Sequence, residues 1–111
     1  MRTIALPVTK ENLRPHFGDC KKFAIYRTKK LSIIDHSEFC VPEPLPCSLP
    51  EWLADQNITD VIVNEIEHKA IEIFNRHKIN VFVGAELKNS KELVMDYLSG
   101  VLKTNGNFCN D

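Results

Sequence analysis

The sequence predicts an α/β domain with a five-stranded mixed sheet and helical crossovers. Its 111 residues fit one domain. With 43% hydrophobic residues, such a chain can bury a core without the help of disulfides. Three strand-like segments come first, and strands and amphipathic helices then alternate, a pattern that indicates helical crossovers. We expect a single domain over residues 1–102 and a flexible C-terminal tail over residues 103–111.

Three strands are predicted in the first half of the chain. The apolar residues 3–8 indicate strand one, and the polar residues 9–19 indicate a long loop. Residues 22–27 and 30–35 are rich in β-branched and aromatic side chains and are separated by a polar pair, as in two strands joined by a tight turn. Residues 36–47 contain three prolines and therefore predict an irregular connector.

The second half of the chain predicts three helices and two strands. Ser48 and Glu51 have the spacing of a capping box, which starts a helix that runs to about residue 57. Residues 61–63 form a buried-type strand, and apolar residues recur from Ile66 at helical spacing. Residues 79–83 predict the fifth strand, and residues 93–101 contain one face of a last helix that Asn89 can cap.

The predicted connections also fix the direction of the strands. If strands one and two form an antiparallel hairpin, and strands two and three another, strand three is parallel to strand one. Right-handed helical crossovers then keep strands four and five parallel to strand one as well. Open α/β sheets bind ligands at the carboxyl edge of such strands, where the predicted loops lie. The residues at that edge with side chains able to bind metals are His16, Cys20, Cys40, Cys47, Glu65, Glu67, His68 and Glu86.

Thiol and imidazole side chains bind soft metals and metal-sulfur species, so Cys20, Cys40 and Cys47 are candidate metal ligands together with His16. The spacing of Cys40 and Cys47 is wider than that of a zinc knuckle, and from these residues alone ordinary reduced thiols are the favoured interpretation.

His16, Phe17 and Gly18 form a second candidate feature. Phe17 can anchor the loop in the core, and Gly18 can adopt a backbone conformation that other residues avoid, which would fix the position of His16. A surface histidine beside a turn remains the alternative.

Several classes of function are disfavoured by the sequence. We find no nucleophile motif, no glycine-rich phosphate loop and no zinc-protease motif, so we expect no catalysis. Fourteen basic and fifteen acidic residues give a net charge of -1, which disfavours nucleic acid as a partner. The sequence shows no apolar run long enough for a membrane span and no signal-peptide pattern, so we expect a cytoplasmic protein with no membrane partner.

The segments 4–8, 16–18, 79–85 and 97–100 together resemble the dinitrogenase iron-molybdenum cofactor biosynthesis family. The resemblance extends from about Thr3 to Leu102. It implies a ribonuclease H-like fold and a small non-catalytic protein that binds, carries or inserts an iron-molybdenum or related metal-sulfur cluster. It also implies that His16 of the His-Phe-Gly motif contacts the cluster and that cysteines assist.

One segment departs from the family pattern. The family has a glycine-rich turn after the fourth strand, whereas residues 64–70 here read NEIEHKA. Glu65 and Glu67 would repel an anionic cluster, while His68 offers a second contact.

Two functions therefore remain open. One is a carrier or accessory protein for a metal-sulfur cluster, with a cluster donor or acceptor protein as its partner. The other is an interaction or regulatory domain that has kept the fold and lost the cluster.

Overall fold

The first half of the chain forms four strands of one sheet. A computed structural model describes residues 1–18, 21–104 and 108–109 of the protein. The strands are β1 (Arg2–Thr9), β2 (Asn12–Leu13), β3 (Lys22–Lys29) and β4 (Ser32–Cys40). They precede the first helix, as the sequence predicts.

Helices and short strands alternate in the second half. In chain order these are α1 (Leu49–Ala54), β5 (Asp60–Ile62), β6 (Ile66–Glu67), α2 (His68–Arg76), β7 (Asn80–Phe82), α3 (Ser90–Leu98) and β8 (Phe108–Cys109). None of the helices in the described ranges is long and apolar enough to cross a bilayer.

The main sheet is mixed and has the strand order β4-β3-β1-β5-β7, with β2 added beside β1. β3 is antiparallel to both β1 and β4, whereas β5 is parallel to β1 and to β7. The prediction of a mixed sheet with the second long strand reversed is therefore confirmed, and four strands end at the same edge. β6 and β8 form a separate parallel pair.

Two apolar clusters hold the sheet between helices. On one face, α1 and α2 pack through Leu53 and Phe74 against side chains that include Phe23 and Val61. On the other face, Leu93 and Val94 of α3 pack in one cluster with side chains of the sheet, among them Ile4, Leu6 and Ile62. Because the central strands are buried on both faces, they have the continuous apolar sequences that identify them.

Two predictions for the first half of the chain are wrong at the level of individual elements. The loop predicted over residues 9–19 contains β2, because Lys10 adopts a positive φ of 58° and turns the chain back beside β1. The connector predicted over residues 36–47 begins later, because β4 continues beside β3 until Cys40 pairs with Lys22. The prolines that prevent regular pairing follow from Pro42.

Helix boundaries also differ from the prediction. The first helix ends at Ala54, and Asn57 beyond it has a positive φ of 62°. Ser48 donates a 3.0 Å hydrogen bond to the Glu51 carboxylate and caps no backbone N–H, because Pro50 removes one of the two N–H groups within its reach. The second helix begins at His68 because the two preceding residues form β6.

Part of the predicted tail is paired. Phe108–Cys109 form β8 within residues 103–111, while the prediction for residues 105–107 and 110–111 lies outside the described residues. The flexibility of the tail therefore stays a prediction.

Candidate functional site

The loops at the carboxyl edge of the sheet meet around the loop that follows β1. The N–H of Phe17 donates to the carbonyl of Glu65 over 3.2 Å, and the N–H of Glu65 donates to the carbonyl of Pro15 over 3.0 Å. These bonds form a parallel bridge between His16 and Glu65. On the other side of the same loop, the Leu13 N–H donates to the carbonyl of Lys88 over 3.0 Å. Loops that follow β1, β5 and β7 are therefore joined, as the topology predicts.

His16 and Glu65 also interact through their side chains. Nδ1 of His16 lies 3.0 Å from Oε2 of Glu65, and the two side chains are 58% and 38% exposed. A carboxylate can only accept a hydrogen bond, so Nδ1 carries the proton. In the neutral imidazole the lone pair is then on Nε2, which is the form that coordinates a metal.

Phe17 anchors this loop in the core, as predicted. Its side chain is only 3% exposed. Its ring makes edge contacts with Phe23 and Phe74, each with ring centres 5.6 Å apart. The His-Phe-Gly motif therefore combines an exposed imidazole, that of His16, with a buried aromatic ring, that of Phe17, which anchors the loop.

Gly18 has a different role from the one expected. The described glycines with a positive φ are Gly84 and Gly100, so the backbone of Gly18 is not in the left-handed region. A Cβ atom at Gly18 would lie 3.8 Å from Oε1 of Glu67, which is an ordinary contact. A small side chain would therefore fit there, and the glycine leaves space beside Glu67.

A cleft of about 320 Å³ lies beside the motif. Phe17 and Gly18 form one wall, and the beginnings of α1 and α2 form the others. Its remaining lining residues are Ser48, Leu49, Pro50, Glu67, Lys69, Ala70 and Ile73. The cleft is largely apolar, and Lys69 and Glu67 are the charged residues among those of its lining that the structure describes.

The segment that departs from the family pattern lies directly at this site. Glu65 is bound to His16, Glu67 precedes α2, and His68 is the first residue of that helix. Both Glu67 and His68 are exposed. His68 is thus close in the chain to Glu65, and its role as a second contact stays a prediction.

The predicted cysteine ligands lie farther along the edge. Cys40 is the exposed last residue of β4, and Cys47 is half-buried just before α1. Partial burial raises the pKa of the Cys47 thiol, and the carboxylates of Glu51 and Asp55 raise it further. Both changes oppose the thiolate form that binds metals.

Cys20 lies outside the described residues, so the four-residue set of His16, Cys20, Cys40 and Cys47 stays a prediction. Among the residues that the structure describes, no three His, Cys, Asp or Glu side chains are grouped to hold a metal ion.

The contact of Glu65 with His16 is not predicted by the sequence. Its carboxylate contacts the imidazole of His16, and the predicted repulsion of an anionic cluster by Glu65 stays a prediction. No local spacing indicates this contact, because the two residues belong to loops that follow different strands. The signal that was available was their common placement at one edge of the sheet.

Fold and site together define a small α/β domain that presents an oriented histidine at the carboxyl edge of its sheet. The chain belongs to the dinitrogenase iron-molybdenum cofactor family, whose model matches residues 1–100.

Relatives are similar to this protein over nearly the whole chain. The uncharacterized protein MJ0580 of Methanocaldococcus jannaschii is 29% identical over 105 residues, which cover 90% of this chain and 88% of the relative. The crystal structure of PH0822 has a TM-score of 0.85 at 23% identity and covers 94% of this chain and 95% of that one. The apo form of the orange protein from Desulfovibrio gigas has a TM-score of 0.75 at 15% identity, covering 96% and 95%. These two structures show the shared fold.

Proposed function

We propose that this protein binds an iron-molybdenum or related metal-sulfur cluster without catalysing a reaction, and acts as a carrier or accessory protein for that cluster. The observation that carries the proposal is the 3.0 Å contact between Nδ1 of His16 and Oε2 of Glu65. Histidines that bind metals usually donate their other ring N–H to a carboxylate or carbonyl, which fixes the ring and makes it a better ligand. Glu65 supplies this second partner.

The surroundings of His16 suit a bulky inorganic cargo. The imidazole is more than half exposed, so it is accessible to a ligand larger than a single ion. The adjoining cleft supplies apolar walls from Phe17 and Ile73 and a cation from Lys69. An apolar surround limits the access of water to a metal site, and a nearby cation favours an anionic cluster.

The family supports the same cargo. Its description names the iron-molybdenum cofactor, and the orange protein of similar fold was solved in a form described as apo. The ribonuclease H-like classification belongs to this proposal as well, supported by a central β1 with an antiparallel neighbour on one side and a parallel neighbour on the other.

A carrier needs a protein that donates the cluster or accepts it, and we propose such a protein as the partner. Nucleic acid is not proposed, since the net charge of -1 gives no basic excess for phosphate contacts.

The proposal is tested on protein purified without oxygen and reconstituted with ferrous iron, molybdate and sulfide. We expect iron, molybdenum and sulfide to remain after desalting, together with a visible absorption band, and we expect His16→Ala to lose most of that content. His77→Ala is the matched control, because His77 is an exposed histidine at the far end of α2. Copper content is measured on the same samples, and circular dichroism checks that each variant is folded.

Equal retention by wild type and His16→Ala would remove His16 from the site. No retention by the wild type would favour the second candidate, an interaction or regulatory domain without a cluster. The carboxylate of Glu67 beside Gly18 favours that candidate, because it places negative charge where an anionic cluster would lie.

A further inference from the structure

The strand β8 pairs with the segment that carries Glu65. Ile66 pairs with Phe108 and Glu67 pairs with Cys109, and the two strands are parallel. Glu65, directly before β6, holds the His16 loop through its backbone N–H and carbonyl. Glu65 is therefore bonded to the His16 loop, and the next two residues, Ile66 and Glu67, pair with β8.

β8 lies beyond the family match, which ends at residue 100. Nothing in the family match accounts for its position. Yet it meets the chain between Glu65, which orients His16, and His68, where α2 begins. This placement connects the C-terminal end of the chain with the candidate site.

We infer that β8 braces residues 65–68, so that docking of the C-terminal strand and retention of the cargo by His16 are coupled. The coupling to cargo rests on the proposed function, whereas the bracing does not. β8 does not cover the imidazole, since the His16 side chain is 58% exposed with β8 in place. It acts by fixing the backbone from which Glu65 reaches His16.

A brace of this size is easily released. It consists of two residue pairs, and each backbone hydrogen bond shifts an opening equilibrium by only roughly two- to tenfold. Coupled equilibria are reciprocal, so bound cargo stabilises the docked position of β8. A protein that binds β8 and removes it from β6 therefore weakens the retention of cargo. For a carrier, this is a route by which an acceptor protein promotes release.

The test uses the full-length chain and two substitutions at one position. Cys109→Pro removes the backbone N–H of a β8 residue, while Cys109→Ser keeps every backbone group and serves as the matched control. Hydrogen exchange of the amides of residues 65–68 is measured by mass spectrometry in metal-free protein. We expect exchange in Cys109→Pro to be roughly two- to tenfold faster than in wild type and Cys109→Ser.

The second measurement is the iron and molybdenum retained after anaerobic reconstitution with ferrous iron, molybdate and sulfide. We expect Cys109→Pro to lose metal severalfold faster than Cys109→Ser. Equal exchange at residues 65–68 in the two variants would overturn the brace. Faster exchange with equal metal loss would overturn the coupling. If the wild type retains no metal, the proposed function and the coupling fail together, while the exchange data still decide the brace.

Discussion

Nδ1 of His16 lies 3.0 Å from Oε2 of Glu65, and the backbones of the same two residues form a parallel bridge. The fold therefore places the two side chains next to each other. Backbone pairing fixes where each side chain starts, and the carboxylate fixes which ring nitrogen carries the proton. This is the arrangement that a metal-binding histidine requires from its second partner.

Replacing Glu65 should weaken the site without removing its ligand. We expect Glu65→Ala to lower the affinity for reconstituted iron and molybdenum by roughly 10- to 100-fold, the usual effect of losing the partner of a metal-binding histidine. Equilibrium titration measures the affinity, and nitrogen-15 NMR of His16 reports which ring nitrogen is protonated. Glu72→Ala is the control, because Glu72 is an exposed carboxylate on α2, the helix that follows Glu65 and β6 in the chain. Unchanged affinity and an unchanged protonation site would show that Glu65 does not orient the ring.

Phe17 should be one of the most sensitive positions of the motif for stability. The side chain is buried and its ring contacts Phe23 and Phe74, so Phe17→Ala leaves a cavity and should lower the free energy of unfolding by about 3 to 5 kcal/mol. Urea unfolding followed by the fluorescence of Trp52, the single tryptophan, measures the change. Phe39→Ala provides a comparison, because Phe39 packs against the same cluster but is only half-buried. A smaller loss for Phe17→Ala than for Phe39→Ala would contradict the role of Phe17 as an anchor.

The fold could be predicted further than the site. Residues 4–6 and 61–63 are buried on both faces of the sheet, so their apolar character alone identifies them as central strands. β2 and β6 could not be found in this way, because each has only two residues and depends on a partner distant in the chain or on a positive φ. The sequence predicts that β4 ends too early, because its exposed residues do not alternate between apolar and polar side chains. Only the pairing with β3 shows that the strand continues to Cys40.

The sequence predicts where the candidate site lies but not which side chains contact each other there. The carboxyl edge follows from strand direction, and the structure does bring the His16 loop and Glu65 together there. Which charged side chain meets His16 depends on the register between two loops, and a sequence pattern does not encode that register. The contact between Glu65 and the imidazole is therefore a finding of the structure, and repulsion of an anionic cluster by Glu65 stays a prediction.

Tyr97 should make the stability of the protein depend on alkaline pH. Partial burial raises the pKa of Tyr97, and the charge of Asp60 and a 3.3 Å hydrogen bond to its carboxylate raise it further, while Arg2 opposes them. The folded state therefore keeps this proton at a pH where the unfolded state loses it. The stabilising contribution is complete below about pH 10, the ordinary tyrosine value, and is lost as the pH rises through the higher folded value.

Urea unfolding of wild type and Tyr97→Phe between pH 8 and pH 11 measures this contribution. We expect the difference in unfolding free energy between the two proteins to stay constant up to about pH 10 and to shift in favour of Tyr97→Phe above it. A difference that stays constant across this range would show that Tyr97 ionises alike in the folded and unfolded states.

Cys47 should react with alkylating agents only at a higher pH than an ordinary thiol. Its pKa is raised by partial burial and by the carboxylates of Glu51 and Asp55, and the thiolate is the reactive form. We expect the rate of modification by iodoacetamide to reach half of its maximum at a pH above about 8.5, the value for an ordinary cysteine. Mass spectrometry of digested protein follows Cys47 and the exposed Cys40 in the same samples.

Glu51→Gln removes one negative charge while keeping an oxygen that can accept a hydrogen bond from Ser48. It should therefore increase the rate of modification at Cys47 near neutral pH. Glu72→Gln, at an exposed carboxylate, should not change that rate. An unchanged rate in Glu51→Gln would show that this carboxylate does not act on the thiol, and burial and Asp55 would then account for the shift.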